Sequence, residues 1–420
     1  MKKTSLIYCL AFLLFGSPLF AQSDTAALEQ KLKDMEERII SLEGQVRQLK
    51  TPGAASAAGA VASTEPSAPS TAGEPAVQPS FGGATNAGKA LNPDISVIGD
   101  FLGAVGKNPI APGPSLELHE SEVGLQAIID PYARGDFFIS FGETGVNVEE
   151  GFITFTALPA GFVAKVGKMR AAFGKVNTLH NHVLPWTDRP LVSNNLVGGE
   201  DGIDDAGFSV TRAFAGPKDI FLEATAQLFR GDSSDVFTEH TRRDVSTVEH
   251  LRGYKDISES TNLDIGVSYA RGHNDATVLG PANPLSGPVT SLYGTDATIR
   301  WKPLRRSIYH SFVGRGEFIW SQRQQPLAFG GFQRAFGFYT SGDYQLARRW
   351  FVGGRFDQSD RARNAALTDR GGSAVITYWP SEFAQLRGQY RRTNYAEGIN
   401  ANELLFQVQF SLGAHGAHPF

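Results

Sequence analysis

Two histidines, His180 and His182, stand one residue apart in the segment 171–203, which interrupts two runs of alternating polar and apolar residues. Imidazole is a good zinc ligand, so the pair could hold a metal ion with Asp188 as the third ligand. The segment offers no third ligand that is fixed by a short spacing, and ordinary polar contacts are the simpler interpretation. The sequence therefore predicts no metal site and no cofactor.

The acidic run "GGEDGIDD" at 198–205 could in principle bind calcium through its carboxylates. Its spacing does not match the EF-hand loop, and a solvated acidic loop is the simpler interpretation. Covalent catalysis needs a nucleophile with a positioned base, and we find no serine, histidine and acid grouped on one face of a predicted strand. We therefore expect no enzymatic activity. The formal net charge of −4 gives no support for nucleic-acid binding either.

The elements that carry these residues are short runs of alternating character from residue 91 onward. In "ELLFQVQFSL", Leu404, Val408 and Leu412 share one parity and Gln407 and Gln409 the other, so a strand would have one apolar and one polar face. We predict sixteen such strands, including 149–158, 308–321 and 371–379. The fold class predicted is all-β.

Connections between these strands alternate in length, with short ones such as "LPAG" and "PSE" and longer ones such as 171–203. Short turns at one end and long loops at the other are typical of an up-and-down outer-membrane barrel. Trp301, Trp350 and Trp379 all lie beside short turns, as expected for an interfacial aromatic girdle. We therefore expect a 16-stranded antiparallel transmembrane barrel whose apolar face meets lipid.

The polar parity would then line a wet lumen. The lumen-lining residues predicted in this way are Arg300, Arg315, Glu317, Asp343, Arg355, Arg387 and Arg391. A sixteen-stranded barrel is wide enough to pass water unless something narrows it. The segment 171–203 is well placed to fold inward, with Trp186 packing it against the wall. Charged side chains at a narrow point discriminate between ions, and the predicted constriction residues are His180, His182, Asp188, Arg189, Glu200 and Asp201.

The sequence before the barrel divides into three parts. Residues 1–21 are typical of a secretory signal peptide, with two lysines, an apolar run and a small residue at the cleavage point. Residues 24–50 contain three heptads of an a/d seam and predict a coiled-coil oligomerisation helix. Its predicted contact residues are Leu32, Met35, Arg38, Ile39, Leu42, Glu43 and Val46. Residues 51–90 form an Ala/Pro/Ser-rich linker that cannot bury a core, and 91–420 form the barrel.

The number of helices in the coiled coil is left open by the residues. β-branched residues at a with leucine at d favour two strands, whereas "RIISLE" at 38–43 looks like a signature of three-stranded coiled coils. We favour the trimer. The order of signal, coiled coil, linker and barrel places the coiled coil in the periplasm.

The chain resembles the phosphate-selective porin family (porin O/P) of outer-membrane channels. The resemblance depends on "LNPDISVIGDF" at the start of the barrel and on "GKMRAAFG", residues 167–174, leading into the third loop. The family segment tends to read Gly-x-Phe-Lys-x-Pro-Phe-Gly, and here Met169, Arg170 and Ala172 depart from it. The resemblance implies a trimeric, sixteen-stranded pore whose third loop constricts the channel.

These observations predict a bacterial outer-membrane channel for passive diffusion of small polar or ionic solutes. Its partners would be outer-membrane lipid, lipopolysaccharide and two further copies of the chain. The alternative is a structural protein that tethers the envelope, with the coiled coil contacting peptidoglycan or periplasmic proteins. The lumen mixes arginines with acidic residues, so the pattern alone does not predict an ion selectivity.

Overall fold

The computed structural model describes residues 93–413, except 144, 234, 277–286 and 327–329. The signal peptide, coiled coil and linker predicted for 1–21, 24–50 and 51–90 lie outside the described residues and stay predictions. Among the residues described, no helix combines the length and apolar character needed to cross a membrane.

Strands make up most of the described chain and close into one antiparallel barrel. They are β1 Asp94–Lys107, β2 Leu116–Asp130, β3 Ala133–Gly142, β4 Gly145–Phe155, β5 Phe162–Arg170, β6 Asp204–Ala215, β7 Phe221–Phe229, β8 Ser246–Ser258, β9 Thr261–His273, β10 Val289–Trp301, β11 Phe312–Arg323, β12 Gln333–Ala347, β13 Trp350–Arg361, β14 Asn364–Ser381, β15 Ala384–Asn394 and β16 Asn400–Gly413. Each strand pairs with its neighbours in sequence, and β1 pairs with β16. The predicted sixteen-stranded closed barrel is confirmed.

Three predicted strand starts were wrong by four residues or more. β4 begins at Gly145 rather than 149, and β14 begins at Asn364 rather than 371, because pairing with the previous strand continues beyond the alternating pattern. β11 begins only at Phe312 rather than 308, after a connection that spans 302–311. The connections 143–144 and 362–363 are consequently short, so the predicted contrast between long loops and short turns holds only in part.

The two faces of the strands are distributed as predicted. On β16, Leu412 is 59% exposed and Val408 40% exposed, whereas Gln407 and Gln409 are 2% and 3% exposed. Apolar side chains thus cover the outside, and polar side chains fill the inside. A water-soluble protein would show the reverse arrangement, whereas a barrel in lipid requires this one.

Aromatic rings lie near several short connections, as the girdle prediction requires. Trp350 stacks on Tyr378 with ring centroids 4.5 Å apart, and His310 stacks on Tyr344 at 6.2 Å. Trp350 is 44% exposed on the outer face. Amphipathic rings at this level suit the boundary between hydrocarbon and headgroups.

The connection between β5 and β6, residues 171–203, is called the inner loop below. It contributes much of the buried apolar cluster, in which Phe173, Val176, Trp186, Val192 and Leu196 are all at most 2% exposed. These side chains pack with inward-facing apolar residues of the wall, and the loop is buried against the inner face of the barrel. Two short 3₁₀ turns, Val176–Thr178 and Asn181–Val183, and one π turn, Ser193–Val197, shape it.

Candidate functional site

The backbone of the inner loop is held by side chains from many wall strands. Its amides donate to polar atoms of β7, β9, β11, β13 and β15: Ala172 to Gln227, Gly174 to Ser268, Lys175 and Val176 to Glu317, Leu191 to Asp357 and Thr187 to Gln389, at 2.7–3.3 Å. A loop buried without such partners would leave its backbone groups unsatisfied. The polar inner face of the wall therefore serves as the hydrogen-bonding surface for the loop.

Gly174 is required where the loop turns inward. Its φ of +60° lies in the left-handed region, and a Cβ at this position would meet Glu317 Oε1 at 1.7 Å. Glycine is therefore the residue that permits both the backbone conformation and the close approach of the Glu317 carboxylate. That carboxylate accepts hydrogen bonds from the next two backbone amides of the loop at 3.3 Å.

On one side of the lumen the loop presents a carboxylate to arginines of the wall. Asp188 Oδ2 accepts from Arg355 Nη2 at 3.0 Å and from Arg391 Nη1 at 2.8 Å. Burial alone would raise the pKa of Asp188, but Arg355 and Arg391 outweigh it and lower that pKa to about 2. Arg355 also pairs with Asp357 at 2.8 Å, and Arg391 with Glu403 at 2.6 Å. We call this group of residues the basic clamp.

Trp186 anchors the loop beside the basic clamp, in agreement with the prediction that it packs this segment against the wall. It is 1% exposed and meets Tyr339 edge to face, with ring centroids 5.2 Å apart. The Arg355 guanidinium lies over the indole at 4.7 Å from the ring centroid, a favourable cation–π geometry. Arg387 Nη1 donates to the Trp186 carbonyl at 3.1 Å.

A second contact between loop and wall has the charges arranged the other way: the loop supplies histidines, and β2 and β4 supply carboxylates. His180 Nδ1 lies 2.7 Å from Glu122 and 2.9 Å from Glu149, and its Nε2 lies 3.0 Å from Glu150. Burial alone would lower the pKa of His180, but these carboxylates outweigh it and hold the pKa well above the usual value. His182 Nδ1 is 3.7 Å from Glu122. We call this group, together with Glu120, the acidic cluster.

A β-bulge explains how two consecutive glutamates reach the same lumen. In the β3–β4 ladder, Phe138 pairs with Glu150 while Ile139 pairs with Val148, so Glu149 is the extra residue. A bulge of this kind re-aims one side chain and lets Glu149 and Glu150 both point inward. A similar shift in the β1–β2 ladder makes His119 the extra residue of β2.

The other predicted constriction residues have different surroundings. Arg189, 4% exposed, donates to Asn181 Oδ1 at 2.9 Å and to two loop carbonyls, so it ties the loop to itself. Glu200 lies 3.3 Å from His119 Nε2, and its pKa is lowered chiefly by that hydrogen bond. Asp201 is exposed, while its carbonyl accepts from Arg170. The six residues therefore do not form one ring.

A cavity lies between the inner loop and strands β10–β15. Among the charged groups that line it are Lys175, Arg300, Arg315, Arg387 and Asp343. Arg315 pairs with Asp343, whereas Arg387 donates to Gln407 Oε1 and Thr377 Oγ1. Four basic groups and one carboxylate thus line this space, and Asp264, outside the lining, lies 3.6 Å from Lys175 Nζ and 3.8 Å from Arg300 Nη1. The other predicted lumen residues, Glu317, Arg355 and Arg391, are taken up in holding the loop.

The sequence reasoning missed the residues of the acidic cluster as partners of the loop. Strand parity does place Glu120 and Glu122 on the inner face, but it places only one of Glu149 and Glu150 there. The alternation of residues along β4 does not predict the bulge. The carboxylate that meets His180 Nδ1 at 2.7 Å belongs to Glu122, 58 residues away in the chain. Asp188, which the sequence offered as a third metal ligand beside the histidines, belongs instead to the basic clamp.

No profile of a known protein family matches the chain. An uncharacterized protein of Aquifex aeolicus is 26% identical, over 79% of this chain and 81% of that protein. Among solved structures, the anion-selective porin from Comamonas acidovorans has a TM-score of 0.52 at 11% identity, covering 76% of this chain and 99% of the porin. Salmonella typhi OmpF, solved with daunomycin, has a TM-score of 0.52 at 8% identity and covers 77% of this chain and 99% of OmpF. Pseudomonas putida OprB, in its high pH structure, scores 0.50 at 9% identity, over 78% and 95%. These similarities show that the chain has the fold of outer-membrane porins.

Proposed function

We propose that the protein is a porin-like channel of the bacterial outer membrane that lets small ionic solutes diffuse passively, with a preference for anions. The apolar outer face fits a lipid environment and the polar inner face fits a wet lumen. The observation that carries the ion preference is the cavity beneath the inner loop. Its charged lining consists of Lys175, Arg300, Arg315 and Arg387 with the carboxylate of Asp343, and Asp264, outside the lining, pairs with Lys175 and Arg300.

Arginine side chains suit oxyanions because the planar guanidinium offers two parallel donors to carboxylate or phosphate. Three of the four basic residues in the cavity are arginines. This lining supports the part of the family resemblance that concerns phosphate-like solutes. We therefore propose small oxyanions as the solute class, with the inner loop as the constriction that they pass.

The assembly proposed is a homotrimer surrounded by lipid and lipopolysaccharide. Support comes from the heptad seam at 28–49 and from the family resemblance, both read from the sequence. The alternative function, an envelope tether, depends on the same N-terminal segments, and no feature of the described barrel favours it. The channel is the function that the barrel itself supports.

Reversal potentials of the purified protein in planar bilayers under a salt gradient test this proposal. We expect the sign that indicates chloride over potassium. Arg300→Gln and Arg315→Gln should each reduce the anion-to-cation permeability ratio by roughly half, because each removes one positive charge from the cavity. Arg363→Gln, which removes an exposed arginine that pairs with Asp275, is the matched control.

Three results would contradict the proposal. One is a barrel that inserts but conducts no ions. A second is a cation preference in the unmodified protein. The third is an equal change of selectivity in the Arg363→Gln control, since that residue does not line the cavity.

A further inference from the structure

We propose that the acidic cluster is a binding site for a divalent transition metal of the zinc class, with His180, His182 and Glu122 as the protein ligands. The inference concerns binding and stands apart from conduction. The two histidines come from the inner loop and the glutamate from β2. One donor atom from each of the three residues lies within 4.8 Å of the others.

The two histidines lie at different distances from Glu122, one within a hydrogen bond and the other too far for one. His182 Nδ1 lies 3.7 Å from Glu122 Oε2, beyond the range of a hydrogen bond, and His180 Nδ1 lies 2.7 Å from the same oxygen. Ligands at about 2.0–2.2 Å from a tetrahedral zinc ion lie roughly 3.3 Å from one another. The observed separations bracket that value, so small side-chain movements would bring the three donors around one ion.

A second observation is independent of these spacings. His182 Nδ1 and Glu120 Oε1 have no hydrogen-bond partner, and both atoms are buried, in side chains that are only 5% and 7% exposed. They face each other at 3.6 Å. A buried polar atom without a partner costs about 1–3 kcal/mol, and native proteins keep few of them. A cation at this position would satisfy the nitrogen and the oxygen together.

The surroundings provide the outer shell that metal-binding histidines use. His180 would ligate through Nδ1 and direct its other nitrogen, Nε2, to Glu150 at 3.0 Å. Glu150 is itself fixed, because its Oε1 accepts the backbone amide of Arg170 at 2.8 Å. A carboxylate behind the imidazole orients the ring and strengthens it as a ligand.

The local charge also calls for a cation. Glu120, Glu122, Glu149 and Glu150 crowd around the two imidazoles, and the arginine that pairs with them is Arg170, 3.3 Å from Glu149. Two imidazoles and a carboxylate form the donor set of zinc and related ions rather than of calcium or magnesium, which prefer oxygen ligands. The bulge at Glu149 adds one more carboxylate to this side than a regular strand would.

Calorimetric titration of the detergent-purified, full-length protein with Zn²⁺ tests the site directly. We expect one ion per chain, with Ca²⁺ unable to compete. His182→Gln and Glu122→Gln should each weaken Zn²⁺ binding by about 100-fold, and Glu150→Gln by about 10-fold, because it removes only the outer-shell support. His310→Gln, which alters a histidine stacked on Tyr344 far along the chain, should bind as tightly as the unmodified protein.

Heat-modifiable gel mobility shows whether each variant still forms the barrel, so loss of binding is separated from loss of folding. Equal Zn²⁺ affinity in the unmodified protein and in folded His182→Gln would overturn the site. Loss of Zn²⁺ binding in folded His310→Gln would also overturn the site. A protein that binds Zn²⁺ as stated but conducts no ions would contradict the proposed channel and leave the metal site standing.

Discussion

The inner loop is held on two sides of the lumen by opposite charge arrangements. In the basic clamp the loop supplies one carboxylate, Asp188, and the wall supplies Arg355 and Arg391. In the acidic cluster the loop supplies imidazoles and the wall supplies carboxylates, including Glu122 and Glu150. Reversing the loop would place like charges against each other on both sides. The two contacts together therefore specify one orientation of the loop.

The two sides differ in how completely their charges are matched. Each arginine of the basic clamp pairs with two carboxylates: Arg355 with Asp188 and Asp357, and Arg391 with Asp188 and Glu403. The acidic cluster instead contains unpartnered buried atoms on His182 and Glu120. A matched site holds structure by itself, whereas the unmatched one is where a ligand would add stability.

The largest effect is expected from Asp188→Ala, which breaks the basic clamp. Arg355 is 1% exposed and would lose the loop carboxylate that it shares with Arg391, and its hydrogen bond to the loop would then be the one to the backbone carbonyl of residue 188. Removing one partner of a buried ion pair costs about 3–5 kcal/mol. Because the strands stay paired, we expect the loss to appear locally, as an increase of about 100-fold or more in the rate of proteolytic cleavage within the inner loop.

Asp201→Ala is the matched control, because it removes an exposed carboxylate of the same loop. Its cleavage rate should stay close to that of the unmodified protein. Equal protection of the loop in Asp188→Ala and in the unmodified protein would show that the clamp does not hold the loop.

A smaller effect is expected when acid titrates the same clamp. The pKa of Asp188 is about 2 in the folded protein against an ordinary 3.8. A lowered pKa means that the carboxylate stabilises the fold fully above the ordinary value, and that this contribution of about 2 kcal/mol disappears as the pH falls from roughly 4 to 2. The charged groups facing Asp188 are Arg355, Arg391 and, through their pairing, Asp357 and Glu403, and Gln389 also donates a hydrogen bond to the carboxylate.

Cleavage of the loop by pepsin, which is active in this range, measures the effect. The unmodified protein should lose protection between pH 4 and pH 2 by roughly 30-fold more than Asp188→Asn, which has no carboxylate to titrate at this position. Parallel pH profiles of the two proteins would assign the loss to other groups.

The smallest effect is expected from Glu200→Gln at the edge of the acidic cluster. Glu200 is 60% exposed and lies 3.3 Å from His119 Nε2. An exposed ion pair contributes about 0–1 kcal/mol and is screened by salt. We expect the cleavage rate of the loop to change by less than about fivefold, and the change to vanish in high salt. A change as large as that of Asp188→Ala would remove the contrast between the two kinds of contact.

Strand period predicted the barrel because the physics of each strand is local. An apolar face for lipid and a polar face for the lumen produce the alternation, as Leu412 and Gln409 of β16 show. Strand ends were harder to predict, since β14 begins at Asn364 through pairing with Arg361 of β13 rather than through its own pattern. Pairing depends on a neighbour that one strand's sequence does not contain.

The site was predicted less well than the fold. The insertion length and the aromatic residue predicted a third loop folded inward as a constriction; Trp186 packs against Tyr339 of the wall as that prediction requires, and the constriction itself stays a prediction. The partners of each charged loop residue did not, because Asp188 meets Arg391 from 203 positions away. The bulge at Glu149 also reverses what parity predicts for one residue. Contacts of this kind are set by the register of the closed barrel.

The seam between β1 and β16 has a consequence for how the protein is made. Asp100 and Gln407, bonded across it, are 307 positions apart, and the Phe410 ring covers Gly99 on its outer side. Until the last strand arrives, the sheet has two open edges whose amides and carbonyls the hydrocarbon layer cannot satisfy. The open edges of the nearly complete sheet must therefore be shielded during biogenesis until β16 pairs with β1. Truncation before residue 400, which removes β16, should abolish membrane insertion.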